Sequence, residues 1–264
     1  MPFLELNDYR PFYEIDDYTD PWTEPETILF IHGFTETTEA YRAWVPHVSR
    51  RYRMVRFDLR GFGKSGPVPA DFIYSLEMFV DDMVRIINHV AKGPVHVVSA
   101  KSGGILGVKL AAMRPDLVKT LALICAPADA PKGEGWIDHM NTHGMRSWAR
   151  TTMRPRLGQK MPERGIDWWV DMMGGTALST AHAYLAWVGK SDISGDLKDV
   201  KCPTLVLVSD IPHRVSQSGD FFKKGIANSE FKVLPVDGYH ASGTNPDLCA
   251  DVTLEFIDRH KNGA

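Results

Sequence analysis

Lys101 stands in the segment Val95-His96-Val97-Val98-Ser99-Ala100-Lys101-Ser102-Gly103-Gly104, with small residues on both sides of it. An amine in such a setting has three uses: a Schiff base with a ketone or aldehyde, acid–base work, or a fixed cation beside a carboxylate or oxyanion. As an acyl acceptor it would form an amide, and a cycle through acyl-Lys101 would stall at its second half. Ser102 offers a hydroxyl one residue on.

The elements around these residues are legible from pattern. Val95, Val97 and Val98 read as a short buried strand, and Ser99, Ala100, Gly103 and Gly104 permit a tight reversal into a helix that carries Ile105, Leu106, Val108, Leu110 and Ala111 and ends before Pro115. Ile28 to Ile31 form a strand that runs into His32-Gly33-Phe34-Thr35-Glu36-Thr37. A helical segment spans Glu39 to Ser49, and a strand spans Met54 to Phe57. Ser75 caps a helix reaching Ala91, with Met78, Phe79, Met83, Ile86, Ile87 and Val90 at helical spacing. Further strands are expected at Thr120 to Ala126, at Cys202 to Ser209 and at Phe231 to Pro235, before a closing helix up to Arg259. Residues 2 to 16 read as two short strands about a turn at Asn7-Asp8.

The turn resembles the nucleophile elbow of the α/β-hydrolase superfamily, whose capped, enol-lactonase-like members are the nearest in pattern. Aligned without a gap on the usual Gly-His-Ser-Met-Gly-Gly elbow, Lys101 takes the nucleophile position, while Gly103, Gly104 and Pro115 fall on the family's glycines and proline. A slip of one residue makes Ser102 the nucleophile and breaks that spacing. The resemblance implies an α/β fold, a mostly parallel central sheet flanked by helices, with a core of residues 1–126 and 196–264 and a helical cap at 127–195. It further implies an oxyanion hole from the backbone N–H groups of Phe34 and Ser102, and a catalytic His240 in Asp237-Gly238-Tyr239-His240. Asp58-Leu59-Arg60-Gly61-Phe62-Gly63-Lys64-Ser65 looks like the superfamily's D-x-R-G-x-G-x-S loop, a mark of the fold and not of the reaction. The triad acid is where the pattern departs: the expected position falls on Pro212, which leaves Asp210, Asp129 or no acid.

Residues 127–195 are rich in Trp, Met, Arg and His. Trp136, Trp168 and other aromatics there suit an apolar substrate chamber, and Arg150, Arg154, Arg156, His139 and His143 suit an anionic substrate group. His32, Trp136, Trp168 and Arg150 are the expected substrate contacts. A helix N-terminus and burial both disfavour an ammonium on Lys101, with desolvation the larger contribution.

At 264 residues and 44% hydrophobic content, one core domain is expected. The formal net charge of -3, with both signs interspersed, offers neither a basic face for nucleic acid nor a polybasic membrane patch. No apolar run of about 18 residues and no signal-peptide pattern occur, which leads to the expectation of a cytoplasmic protein. Cys125, Cys202 and Cys249 read as core thiols rather than a disulfide frame or zinc site. Neither the loop glycines nor any cluster calls for a nucleotide, metal or other cofactor. The partner expected is a small-molecule substrate, with a homo-oligomer left open. The activity expected is hydrolysis of an ester, lactone, amide or activated C–C bond with Lys101 in place of the usual serine. The alternatives are a lyase, decarboxylase or cofactor-independent oxygenase using His240 and the oxyanion hole, and a noncatalytic ligand receptor.

Overall fold

The computed structural model describes residues 3–129, 133 and 135–261. Seven strands, β1 (Tyr13–Asp16), β2 (Thr27–Ile31), β3 (Arg53–Phe57), β4 (Val95–Ala100), β5 (Val118–Ile124), β6 (Thr204–Ser209) and β7 (Ser229–Leu234), form one sheet in the order β1-β3-β2-β4-β5-β6-β7. Only β1 runs antiparallel to its neighbour. Strands β2, β4 and β6 are buried along their whole length, which is why their sequences are continuous rather than alternating apolar runs. The chain leaves β2 for β3 on one side and returns to β4 on the other, so the C-terminal ends of β2 and β4 face each other at a reversal of strand order, where open α/β sheets bind ligands.

The helices are α1 (Val45–Val48), α2 (Leu76–Val90), α3 (Gly103–Met113), α4 (Trp136–Leu157), α5 (Glu163–Gly174), α6 (Leu178–Val188), α7 (Pro212–Ser218), α8 (Ala241–Thr244) and α9 (Pro246–Arg259). The Ser75 hydroxyl accepts the Met78 N–H at 3.0 Å and starts α2, as its sequence implies. Helix α3 is buried on nearly every side. Between β5 and β6 the described residues hold three α-helices, α4 to α6, a 3₁₀ turn over Leu197–Asp199 and no strand.

The expected helical segment before β3 is a 3₁₀ helix over Thr38–Trp44 followed by the short α1. In residues 2 to 16 the first expected strand reduces to a single bridge between Phe3 and Phe12, where Pro11 has no N–H to extend the ladder. The Asp58 loop is structural: its carboxylate accepts the Thr38 and Lys64 N–H groups at 2.7 and 2.8 Å, while Arg60 clamps Asp82 at 2.9 and 2.7 Å.

Candidate active site

Only Lys101 and Ser102 separate β4 from α3. Lys101 has φ of +53°, the left-handed region that costs a residue with a Cβ about 1–2 kcal/mol. Its N–H donates to the Ile124 carbonyl at 3.0 Å and its carbonyl accepts from Gly104 at 2.9 Å, so β5 and the first turn of α3 hold the strained turn. A Cβ at Gly103 would collide with the carbonyl oxygens of His32 and Ile31, so only glycine lets the turn pass this close to the β2 loop. Thr35, after β2, and Cys125, after β5, are the other non-glycine residues with positive φ among the described residues. Backbone strain is thus confined to the ends of three adjacent strands.

Glu36, absent from the sequence-based candidates, occupies the centre. Its Oε2 accepts the Gly33 N–H at 3.0 Å. Its Oε1 lies 2.8 Å from Lys101 Nζ and 3.3 Å from His240 Nδ1, and its side chain is fully buried. Neither contact at Oε1 is aligned as a hydrogen bond, so they act through charge proximity. The Lys101 ammonium also donates to Ser242 Oγ at 3.3 Å and sits 5.9 Å from the centre of the Trp169 ring.

His240 is buried, and its N–H donates to the Arg156 carbonyl at 2.9 Å. Trp169 meets its ring edge-on at 5.3 Å. Burial, reinforced by the charges of Lys101, Arg156 and Arg214, holds the imidazole well below its ordinary pKa, so the ring is neutral at pH 7. Its Nε2 has no hydrogen-bond partner among the described residues.

Asp210 is not brought to this group. It is exposed, its N–H donates to the Leu234 and Val236 carbonyls, and its carboxylate makes no ion pair among the described residues. Ser209 instead closes the end of β6, its hydroxyl donating to the Gly238 carbonyl at 2.6 Å. Asp129 lies on the rim of the adjoining cavity and is also exposed. The carboxylate facing His240 is Glu36.

The Phe34 N–H donates to Ser102 Oγ at 2.9 Å, and the Tyr184 hydroxyl donates to the same oxygen at 3.1 Å. The expected backbone donor is therefore already satisfied by a side chain. With both lone pairs of Ser102 Oγ engaged, its own proton has no acceptor among the described residues and is left for the cavity. That cavity, of about 300 Å³, is lined by Lys101, Ser102, His240, Phe34, Trp136 and Tyr184 among others. Trp136 stacks on Phe34 and lines the cavity.

Three expected substrate contacts are misplaced. His32 is buried, with Nδ1 on the Gly33 carbonyl at 2.8 Å and Nε2 accepting the Leu59 N–H at 3.0 Å, so both ring nitrogens serve the loop. Trp168 is 37% exposed and points away from the cavity; its neighbour Trp169 takes the inner position. Arg150 is half-exposed and paired with Asp167, while Arg156 is the buried arginine of the same helix.

A family profile described as alpha/beta hydrolase fold matches residues 26–163, just over half of the chain. The chain belongs to this family. It is 25% identical over 209 residues to an (E)-2-((N-methylformamido)methylene)succinate hydrolase of Acinetobacter baylyi, covering 74% of this chain and 76% of the relative. It is 37% identical over 118 residues to the probable lysophospholipase BODYGUARD 3 of Arabidopsis thaliana, covering 42% of this chain and only 24% of that protein. The enol-lactonase from Burkholderia xenovorans superposes with a TM-score of 0.86 at 19% identity, covering 97% of this chain and all of that one. This α/β hydrolase contains no helix, among the described residues, long and apolar enough to cross a membrane.

Proposed function

We propose that this hydrolase cleaves a small carbonyl compound by direct attack of water, with Lys101 at the elbow position acting as a cation and not as an acyl acceptor. The observation that carries this reading is the shared Glu36 Oε1, 2.8 Å from Lys101 Nζ and 3.3 Å from His240 Nδ1. The amine is committed to an ion pair, whereas the imidazole is neutral and lines the cavity. In the proposed step, His240 Nε2 takes a proton from water as the oxygen bonds to the carbonyl carbon. The oxyanion is held by the Ser102 O–H and by the Lys101 N–H left over from Glu36 and Ser242. Collapse expels the leaving group, which recovers the proton from His240 and frees a carboxylic acid. The names of the relatives, a succinate-derivative hydrolase and an enol-lactonase, agree with a small carbonyl substrate.

Rapid mixing with p-nitrophenyl acetate and intact-protein mass measurement tests this. Turnover without a stoichiometric acyl adduct is expected. An adduct on Lys101, or fluorophosphonate labelling of Ser102, would overturn it. The same neutral base beside a cation also suits proton abstraction next to a carbonyl, and deuterium exchange into a ketone without hydrolysis would favour that second reading.

A further inference from the structure

Arg156 is an arginine buried to 5% exposure whose charge no carboxylate among the described residues matches. Its Nε donates to Thr152 Oγ1 at 3.1 Å, while Nη2 is buried without a partner. The guanidinium lies 5.3, 5.0 and 5.9 Å from the ring centres of Trp136, Trp148 and Tyr239. These faces hold it in place and temper the cost of burying it, but they offer no counter-ion. It lines the cavity that Lys101, Ser102 and His240 also line. Arg214 joins it there, its guanidinium 4.1 Å from the centre of the Tyr239 ring. Of the charged residues lining this cavity among those described, Lys101, Arg156 and Arg214 are cationic and Asp129, on the rim, is anionic; the Lys101 charge is already met by Glu36. A buried guanidinium whose two terminal nitrogens have no partner among the described residues is unfavourable for the empty protein and favourable when an anion arrives.

We infer that Arg156 is the carboxylate-binding subsite of this cavity, so that the substrate is a small carbonyl compound bearing a free carboxylate. The inference rests on the hydrolase reading above for the word substrate, but the binding site stands on its own geometry. A carboxylate matches the fork of Nη1 and Nη2 and carries one charge. A phosphate dianion would need more donors than one guanidinium between aromatic rings supplies. Once the carboxylate is seated, the rest of the molecule must lie in the space between Arg156 and the Lys101–His240 group. Such an arrangement favours short acids, with the scissile carbonyl a few bonds from the carboxylate, over neutral esters, which turn over only slowly.

The test is calorimetric titration with succinate and, as its neutral counterpart, succinamide, on the wild type and on Arg156→Gln and Arg156→Lys, each with its melting temperature measured. Succinate should bind the wild type at least about tenfold more tightly than succinamide, as a charge-assisted pair requires. Arg156→Gln should erase that difference, and Arg156→Lys should restore part of it. Arg156→Gln should also melt at or above the wild-type temperature, because it removes an uncompensated buried charge. Equal succinate binding by the wild type and Arg156→Gln would overturn the subsite, as would loss of binding in Lys101→Met with none in Arg156→Gln. Inorganic phosphate binding more tightly than succinate would overturn the carboxylate assignment. Succinate binding without turnover of any carbonyl substrate would sink the hydrolase reading alone. Turnover indifferent to substrate charge and to Arg156 would sink the subsite alone.

Discussion

The His240 N–H donates to the Arg156 carbonyl at 2.9 Å, so the C-terminal end of α4 and the loop that presents the imidazole are fixed to each other. Gly238 makes the approach possible, since a Cβ there would run into the Leu157 and Arg156 backbone. The Asp237 carboxylate adds a second tie by accepting the Gln159 N–H at 2.9 Å. The helix that carries the buried guanidinium therefore also sets the position of the base, and the two groups face one cavity as a unit.

His240→Ala should lower the chemical rate by about 10² to 10⁴ with a smaller effect on substrate binding. The wild-type rate should be level through neutral pH and fall only well below the ordinary imidazole value near 6.5. Base action needs the neutral ring, and burial, then Lys101, Arg156 and Arg214, all hold the pKa down. Lys101→Met removes one of these causes, so its residual activity should show the acid limb moved to higher pH. A pH–rate profile with no acid limb change, and a near-normal rate in His240→Ala, would make the imidazole structural.

Ser102→Ala and Tyr184→Phe bear on the oxyanion contact. The elbow alignment gives Ser102 only a backbone role, and from that alone its side chain would be dispensable. In the structure its oxygen accepts both the Phe34 N–H and the Tyr184 hydroxyl, which polarises the remaining O–H toward the cavity. Burial holds Tyr184 far above its usual pKa, so it stays a donor at every working pH. Ser102→Ala should cost about 10²-fold in kcat, in the range seen for loss of one oxyanion donor, with KM little changed. Tyr184→Phe should cost less, since the Phe34 N–H still orients the hydroxyl. Steady-state kinetics on both variants decide it, and an unaffected kcat in Ser102→Ala would return the role to the backbone.

The sheet and the elbow were readable because small residues, glycine spacing and continuous apolar runs are local signals. Glu36 was not, because nothing local separates it from an acid in the first turn of the helical segment that follows; only the packing of the β2 loop against the elbow brings it to Lys101. The cap residues were readable and misread. Met145, Trp148, Ala149, Met153 and Arg156 share one helical stripe, and they are the buried residues of that stretch of α4. Arg150 lies off it. By the same spacing Ile166, Trp169, Val170 and Met173 form the inner face of α5, which turns Trp168 outward. Asp210 failed for a different reason: the chain ends β6 with the Ser209 hydroxyl bonded to Gly238, and the acid one residue later has already left the sheet.

Acid should destabilise the fold earlier than its carboxylates alone would dictate. His32, His96 and His240 are buried imidazoles whose pKa is lowered chiefly by burial. The folded state thus binds fewer protons than the unfolded chain between the depressed values and about 6.5. Their contribution is present in full above that unfolded value and is lost as pH falls through the folded ones. The urea midpoint should be level from about pH 7 upward and decline below about 6.5, with a slope of up to about 1.4 kcal/mol per pH unit for each proton taken up. His240→Gln should shallow that slope. A midpoint unchanged down to pH 5 would contradict the neutral, buried state of these rings.

The Lys101–Glu36 pair should behave as a buried charge pair whose members cannot be removed singly without cost. Both side chains are at most 9% exposed, with Nζ and Oε1 2.8 Å apart. Glu36→Gln leaves the ammonium without its counter-charge, while Gly33 N–H keeps an amide oxygen to bond. The expected loss is about 3–5 kcal/mol, the range for breaking a buried pair from one side. Lys101→Met strands the carboxylate in the same way, except that His240 can protonate and partly compensate. The double variant removes both charges and should regain much of the loss, giving a coupling energy of at least about 2 kcal/mol in a double-mutant cycle read by urea denaturation. If the two single losses simply add, the ion pair is not made in solution, and Lys101 would be free to act as an amine after all.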